Sequence, residues 1–227
     1  MSTQCKFNFL KSKEVEVRFN EGPITSDAGL SVLIEWMKDE SFIQPFADIL
    51  EETDTRTEDR IEHSMSDLLR QRGLQIIAVY EDANDSDELR EDPVFKAAND
   101  RADKTKNNAS QPTISRLENA VNARDVAGLN RKLLTQYIQV RSEAPEQITI
   151  EIDGTPVTTH GNQQRALFDG HRRQNQYHPL MVADSETGEL LSVRLRKGTA
   201  HDKHRAYPQL KRVLEALTEA FPETKLK

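Results

Sequence analysis

The spacing of hydrophobic and polar residues changes once along the chain. As far as about residue 142, apolar residues recur every three or four positions, which predicts amphipathic helices. From Gln147 onward, short runs rich in β-branched residues alternate with polar and turn residues, which predicts strands. We therefore predict an α+β fold with an extended N-terminal arm over 1–23, a helical region over 24–142 and a mixed region over 143–227.

The helical region carries start signals and core patterns. The arm ends at Gly22-Pro23, and Ser26-Asp27 is predicted to cap the first helix. Two more helices are predicted over 42–50 and 125–140. The strongest pattern spans about 60–80, where the repeating apolar positions are predicted core residues: Ile61, Met65, Leu68, Leu69, Ile76 and Ile77.

Residues 80–98 are dense in acidic side chains, as a metal-binding loop would be. A calcium loop needs alternating oxygen ligands, a central glycine and a distal glutamate. The segment contains no glycine, so we reject a calcium site. We interpret it as a solvated turn followed by a helix from Asp87 onward.

A separate helix is predicted to begin after a polar loop, with Ser110 as its cap and Pro112 in its first turn. Short polar donors and an arginine then cluster near its start, as on the recognition helix of a helix-turn-helix protein. The candidate DNA-binding residues of this helix are Gln111, Thr113, Ser115 and Arg116. An ordinary capped surface helix has the same pattern, and that alternative stays open.

The mixed region is predicted to contain strands over 147–153, 176–184 and 189–197, followed by a helix over 203–220. The last residues, from Lys225, resemble the start of a strand parallel to the first. This β-β-β-α order is the opening of a ribonuclease H-like α/β catalytic domain. We expect that domain to be incomplete at the C-terminus.

The first predicted strand ends on a carboxylate, Asp153, before Gly154-Thr155. A buried strand that delivers an acid to the edge of a sheet is a usual place for a metal-binding catalytic aspartate. Asp153 is therefore the candidate catalytic residue and the candidate metal ligand. Glu151 shares its face of the strand and is a possible auxiliary ligand, although a polar residue at a strand edge is the simpler interpretation.

Charge is distributed unevenly. The chain has a net charge of −7, yet residues 161–227 carry 12 Lys and Arg against 8 Asp and Glu, while the remainder carries 19 against 30. DNA affinity depends on local cationic surface more than on net charge. The basic candidates for DNA binding are Arg194, Arg196, Lys197, Lys203 and Arg205. A solvated helix face, balanced by Glu215 and Glu219, is the structural alternative.

Composition excludes several classes of protein. The single cysteine, Cys5, rules out an internal disulfide framework and a cysteine-based zinc cage. The first residues lead into no long apolar stretch, so we expect no signal peptide, no membrane span and a cytoplasmic location.

A series of short blocks, in order along nearly the whole chain, carries a family resemblance. The blocks are Ile24-Thr-Ser-Asp-Ala-Gly-Leu30, Leu69-Arg-Gln-Arg72, Tyr80-Glu-Asp-Ala-Asn-Asp85, Leu89-Arg-Glu-Asp-Pro93, Ser110-Gln-Pro-Thr-Ile-Ser-Arg-Leu-Glu-Asn119, Ile152-Asp-Gly-Thr155, His160-Gly-Asn-Gln163, Tyr177-His-Pro-Leu180, Thr187-Gly-Glu-Leu-Leu191, Arg194-Leu-Arg196, Gly198 and His201. With them the chain resembles the N-terminal half of a DDE transposase of the insertion sequence 1380 family. It departs from the family at Val79, where a glycine is expected, and at His171-Arg172-Arg173, which replaces a more aromatic stretch.

The resemblance implies a transposase of a bacterial insertion sequence that binds double-stranded DNA, both the terminal inverted repeats and the target. It implies cleavage and strand transfer by two Mg²⁺ ions that three carboxylates hold, with Asp153 as the first. Similar enzymes carry the second aspartate just after the strand that begins at Lys225, and the glutamate much later. We therefore expect an inactive, truncated fragment that binds metal feebly, and a possible homodimer in the complete enzyme.

Two alternatives from other classes remain. The chain could be a DNA-binding module without catalysis that competes with a full transposase for the terminal repeats. It could also be an unrelated soluble metal-dependent hydrolase that uses Asp153, His160 and His178. Metal affinity of the isolated chain would favour the hydrolase, and DNA binding without metal affinity would favour the module.

Overall fold

The computed structural model describes residues 5–10, 13–17, 24–39, 42–101, 105–159, 161, 163–164, 166–201 and 203–227. It contains both helices and strands, which confirms the mixed α+β class. The chain forms two compact units, one up to Val126 and one from Ala127. In the arm, β1 (Cys5–Leu10) and β2 (Lys13–Val17) pair as an antiparallel hairpin, whereas the predicted stop at Gly22-Pro23 lies outside the described residues.

The first unit is mainly helical. Its helices are α1 (Leu30–Asp39), α2 (Gln44–Glu51), α3 (Met65–Ile77), α4 (Ser86–Leu89), α5 (Pro93–Ala98) and α6 (Gln111–Ala120), and α7 (Ala123–Gln139) begins at its end. A cluster of buried side chains from α1, α3 and α5, including Ile34, Leu74 and Phe95, forms the core. None of the helices in the described ranges combines the length and the hydropathy that a membrane span requires.

Helix α3 is shorter than the sequence pattern predicted. It begins after Ser64, whose side chain accepts a hydrogen bond from the backbone N–H of Asp67 while the Asp67 carboxylate accepts one from Ser64, a capping box. Ile61 therefore precedes the helix. Ile76 and Ile77 are more than half exposed, so their prediction as core residues was wrong. Only one face of the helix meets the core, and periodicity placed both residues on it incorrectly.

Buried amide side chains tie the first unit together. The Gln71 side chain donates to the carbonyl of Ala109 (2.8 Å) and accepts from its N–H (2.9 Å), which fixes the chain just before α6. Asn99 donates to the Asn108 side chain (3.1 Å), and Gln75 exchanges hydrogen bonds with Ser86. Buried polar groups are tolerated when they are paired in this way, so the Leu69–Arg72 block is partly structural.

The second unit is built on short strands. They are β3 (Gln147–Ile148), β4 (Ile150–Gly154), β5 (Val157–Thr158), β6 (Leu167–Asp169), β7 (Gln174–Tyr177), β8 (Leu180–Asp184), β9 (Leu190–Arg194) and β10 (Lys225–Leu226), with helix α8 (Ala206–Ala220) before the last. Strands β4, β8 and β9 form an antiparallel sheet in that order, and β5, β7 and β6 form another. The predicted strand over 176–184 is thus divided between two sheets, because Pro179 lacks the N–H that a continuous ladder would need.

The last described residues pair with the beginning of the first predicted strand. Strand β10 runs parallel to β3, and Lys227 accepts a hydrogen bond from Ile150 N–H at 2.9 Å. This confirms the predicted parallel pairing. Behind the sheet, α7 and α8 supply a core that contains Tyr137, Val213 and Leu217.

Candidate catalytic carboxylate and nucleic-acid interface

Asp153 lies near the end of β4, opposite Met181 of β8. Its side chain is exposed, and one carboxylate oxygen accepts a hydrogen bond from the Thr155 hydroxyl at 2.9 Å. The sheet therefore presents the acid to solvent at a fixed place on the strand. Glu151 is also exposed on this strand, two residue pairs away along the ladder.

The peptide that follows Asp153 is held by a buried histidine. The two ring nitrogens of His178 lie 2.9 Å from carbonyl oxygens, Nε2 from that of Gly154 and Nδ1 from that of Ala200. A neutral imidazole donates from one nitrogen only, whereas an imidazolium donates from both. His178 thus links the strand that carries Asp153 to the loop before α8.

Arg196 completes this arrangement, and its burial disfavours the DNA contact predicted for it. The side chain is buried, and its Nε donates to the carbonyl of His178 at 2.8 Å. Its Nη1 donates to the carbonyls of His201 (3.2 Å) and His204 (3.0 Å). Because the guanidinium satisfies backbone carbonyls in the interior, it presents no charge to phosphate. We call His178 and Arg196 the clasp.

Two glycines in this region allow close packing of the chain. A Cβ atom on Gly154 would lie 2.7 Å from Arg196 Nη2 and 2.9 Å from His178 Nε2. A Cβ atom on Gly198 would lie 2.1 Å from the backbone oxygen of Gln176. The Gln176 side chain in turn donates to the Gly198 carbonyl at 3.1 Å. Blocks that are distant in the sequence therefore meet around the residue after Asp153.

The described residues do not complete a metal site. No group of three or more His, Cys, Asp or Glu side chains among them could hold an ion. Mg²⁺ requires near-octahedral oxygen ligation, usually from more than one carboxylate or from a substrate phosphate, so Asp153 with Thr155 is an incomplete donor set. The His178 ring is directed at two carbonyls, which weighs against its role in the hydrolase alternative. His160 lies outside the described residues.

The other basic candidates of the second unit are exposed. Arg194 ends β9, Lys197 follows it, and Lys203 and Arg205 precede α8. Within the described part of the chain, none of these four side chains forms an ion pair. Arg205 has a left-handed backbone conformation with φ of 64° at the start of α8. These side chains remain available to phosphate.

The N-terminus of helix α6 is capped by a different residue from the one predicted. Ser110 makes no capping hydrogen bond, and the backbone N–H of Gln111 instead donates to the carboxylate of Asp87 at 2.9 Å. A carboxylate at this position is stabilised by the positive end of the helix dipole. It also occupies the place where a phosphate would bind, so this helix start is not a free anion site.

The four candidate residues of α6 separate into two pairs. The Gln111 side chain donates to the Ser115 hydroxyl at 3.0 Å, so these two bind each other. Thr113 and Arg116 instead line a cleft of about 800 Å³. The cleft lies between the α6 face up to Val121, the segment from Leu50 to Leu68, Arg90 and the chain over 107–110.

The sequence interpretation missed three arginines of this cleft, Arg56, Arg60 and Arg90. Arg60 was assigned to the start of a long helix, whereas it lies in a short 3₁₀ turn before α3. Arg90 belongs to the Leu89–Pro93 block, and that membership was the only signal in the sequence.

Comparison with known proteins gives one family. The model of the family described as "Transposase DDE domain group 1" matches residues 7–227. No curated protein and no solved structure matches the chain.

Proposed function

Because this chain belongs to the transposase DDE domain family, group 1, we propose that it takes part in the movement of a bacterial insertion sequence. Membership of the family implies DNA as the partner and DNA cleavage and strand transfer as the general activity. We assign the chain more narrowly to the insertion sequence 1380 family, with the terminal inverted repeats and the target as its DNA. We expect the complete enzyme to act as a homodimer.

Asp153 is the residue that we propose as the first catalytic carboxylate. Transposases of this class generally use divalent metal ions, which activate a water or 3′-hydroxyl and stabilise the leaving oxygen. The supporting observation is the exposed acid near the end of β4, with Thr155 on one oxygen at 2.9 Å. The fold that we propose around it is ribonuclease H-like.

The direction of β10 supports this proposal. Lys227 reaches Ile150, the first residue of β4, and the strand runs parallel to the chain that leads to Asp153. A segment that prolonged β10 in the same register would run beside β4 and bring its own side chains to the level of Asp153. An acid on such a segment would supply the second of the three carboxylates.

We propose two sets of residues for DNA binding. The first is Thr113 and Arg116 of α6, and the second is the exposed basic group Arg194, Lys197, Lys203 and Arg205. Gln111 and Ser115 could contribute only by giving up the hydrogen bond between them. The acidic balance upstream of residue 161 opposes non-specific binding, so we expect selectivity for the terminal repeats and a steep fall of affinity with salt.

A binding experiment tests the DNA part of the proposal. Fluorescence anisotropy would compare a labelled duplex that carries the element's terminal repeat with a duplex of shuffled sequence, over a series of salt concentrations. We expect tighter binding to the repeat and a lower affinity as salt rises. Equal affinity for both duplexes, or none for either, would contradict the proposal.

The second candidate function is a DNA-binding module without catalysis. Among the described residues, no group of three or more possible metal ligands accompanies Asp153. We expect the 227-residue chain neither to nick nor to join repeat DNA in Mg²⁺ or Mn²⁺. Nicking that Asp153→Asn abolishes would overturn this expectation and show a complete active site.

A further inference from the structure

We propose that the cleft of the first unit receives a single nucleotide of a DNA strand, with the base inside and the adjoining phosphates at the arginines. This inference rests on the proposed function, namely that the chain binds DNA. It adds the form in which the DNA is bound, which is one nucleotide displaced from a duplex or a single-stranded end.

The shape of the surface is the first reason. A protein reads an intact duplex by inserting a protruding helix or ribbon into a groove. Thr113 and Arg116 instead line a concave surface, so a groove cannot receive them. A volume of about 800 Å³ lies within the range of small-molecule pockets. Such a cleft can hold a nucleotide but not a duplex.

The walls provide an apolar lining for a base. Buried aliphatic side chains from α2, α3 and α6 contribute to them, among them Leu50, Leu68 and Leu117. Enzymes that extrude a base hold it between aromatic or apolar side chains and bind its edge through hydrogen bonds. No Phe, Tyr or Trp lines the cleft in the described part of the chain. The expected contact with the base is therefore aliphatic packing, as in a pocket that accepts more than one kind of base.

The charges of the cleft favour phosphate. Four arginines and three carboxylates line it. Arg56 pairs with Asp54 at 2.7 Å, and the Asp125 carboxylate accepts hydrogen bonds from the Thr53 hydroxyl (3.0 Å) and the Asn122 N–H (2.9 Å). The third carboxylate is that of Glu62, and the remaining guanidinium groups, which outnumber it, belong to Arg60, Arg90 and Arg116. None of these three has an ion pair within the described residues, and guanidinium groups bind phosphate by paired hydrogen bonds.

Neutral polar groups are present for the base edge. Burial, and next the charge of Arg101, lowers the pKa of His63, which lies in the wall. The ring is therefore neutral at pH 7 and carries one donor and one acceptor. The Thr113 hydroxyl can also donate or accept. His63 and Thr113 can therefore pair with both hydrogen-bond donors and acceptors on the edge of a base.

The test uses the whole 227-residue chain and two probes that differ only at one end. One is a blunt duplex, and the other has a short single-stranded overhang that contains 2-aminopurine, whose fluorescence reports unstacking and burial of the base. We expect the overhang probe to bind about tenfold more tightly, as one or two charge-assisted hydrogen bonds would give. Its fluorescence should change when the chain is added.

Two bulky substitutions on α6 separate the cleft from the rest of the helix. Ala120 is exposed and lines the cleft, whereas its exposed neighbour Asn119 does not. Ala120→Trp should fill the cleft and remove the advantage of the overhang probe over the blunt duplex. Asn119→Trp adds a similar bulk outside the cleft and should preserve the advantage.

A second variant covers the case in which Ala120→Trp fails to fold. Arg116 is exposed and makes no described hydrogen bond, so Arg116→Ala should fold, and it should lower affinity for the overhang probe about tenfold. Equal binding of both probes by the parent chain would overturn the inference. So would a folded Ala120→Trp chain that changes the 2-aminopurine fluorescence as much as the parent chain does. Displacement of the probe by an acidic peptide as readily as by single-stranded DNA would also overturn it. If no DNA binds at all, the proposed function itself fails.

Discussion

The two units bury different polar side chains for the same purpose. In the first unit, the amide of Gln71 grips the backbone of Ala109 just before α6. In the second, His178 binds the carbonyl of Gly154, next to Asp153, and Arg196 binds the carbonyl of His178. In each case a polar residue from a family-like block is buried and holds backbone groups in place. A polar residue in such a block is therefore not by itself a ligand for DNA or metal.

The two units also differ in the charge of the side chains that bind the backbone. The hydrogen bonds between Gln71 and Ala109 in the first unit involve neutral groups only, so they do not depend on pH. The second unit includes the charged or titratable side chains of Arg196, His178 and Asp184. Substitutions should therefore separate the two units by the size of their effect and by its dependence on pH.

The largest effect is expected at Gly198, in the clasp region of the second unit. A Cβ atom there would lie 2.1 Å from one backbone oxygen and 2.7 Å from another, and backbone cannot move aside as a side chain can. Gly198→Ala should lower the free energy of unfolding by about 3 kcal/mol. Urea denaturation measures it. Gly170→Ala is the matched control, because nothing lies within 4 Å of its added Cβ, and equal losses in the two variants would refute the steric account.

A smaller loss is expected in the first unit at Gln71. Gln71→Ala leaves the buried N–H and carbonyl of Ala109 without their partner, which should cost about 2 kcal/mol. The loss should be the same at pH 5 and pH 8, because no charge is involved. Gln139→Ala, at an exposed position ending α7, is the control and should be nearly neutral. A loss that varied strongly with pH would contradict the neutral network.

The corresponding substitution in the second unit should depend on pH. Burial alone would raise the pKa of Asp184, but hydrogen bonds from the Tyr137 hydroxyl, the Glu186 N–H and Thr187 outweigh it, so the pKa is lowered. A lowered pKa stabilises the fold above the unfolded value of about 3.9, and the stabilisation is lost as pH falls through the folded value. Tyr137→Phe removes the 2.7 Å hydrogen bond.

Tyr137→Phe should therefore cost about 1.5 kcal/mol at pH 7 and less near pH 3. Chemical denaturation of the parent and variant at both pH values gives the two differences. A cost that is larger at the lower pH would show that Asp184 is not the group that the tyrosine stabilises.

The smallest effect is expected at Val79, where the family pattern has glycine. Val79 has a φ of 69° and is mostly exposed. A left-handed backbone conformation costs a β-branched residue about 1–2 kcal/mol, so Val79→Gly should raise the free energy of unfolding by about 1 kcal/mol. Val32→Gly, at an exposed position inside α1, should have the opposite sign because glycine disfavours a helix. A loss of stability in Val79→Gly would contradict the strain.

Local patterns were sufficient for several elements. The polar loop before Gln111 and the Pro112 signal placed α6 to within one residue of its observed start, and the turn at Thr187-Gly188 separated β8 from β9. The short run from Lys225 was predicted as a strand parallel to the first one, and it pairs with Gln147. Each of these depends on neighbouring residues or on a general rule of connection.

Other features depended on distant residues and could not be predicted locally. Arg196 has the same sequence character as Arg194, yet one is buried against carbonyls of His178, His201 and His204 while the other is exposed. The cap of α6 comes from Asp87, 24 residues away, and not from Ser110. Burial of a charged side chain and the source of a cap are decided by tertiary contacts.

The central proposal is that Asp153 is a metal ligand. Titration of the ¹⁵N-labelled chain with Mn²⁺, followed by the paramagnetic broadening of its amide signals, tests it most directly. We predict broadening centred on Ile152, Asp153 and Met181, with an affinity on the order of 1 mM or weaker, and its loss in Asp153→Asn. Broadening that is centred elsewhere, or that persists unchanged in Asp153→Asn, would contradict the claim.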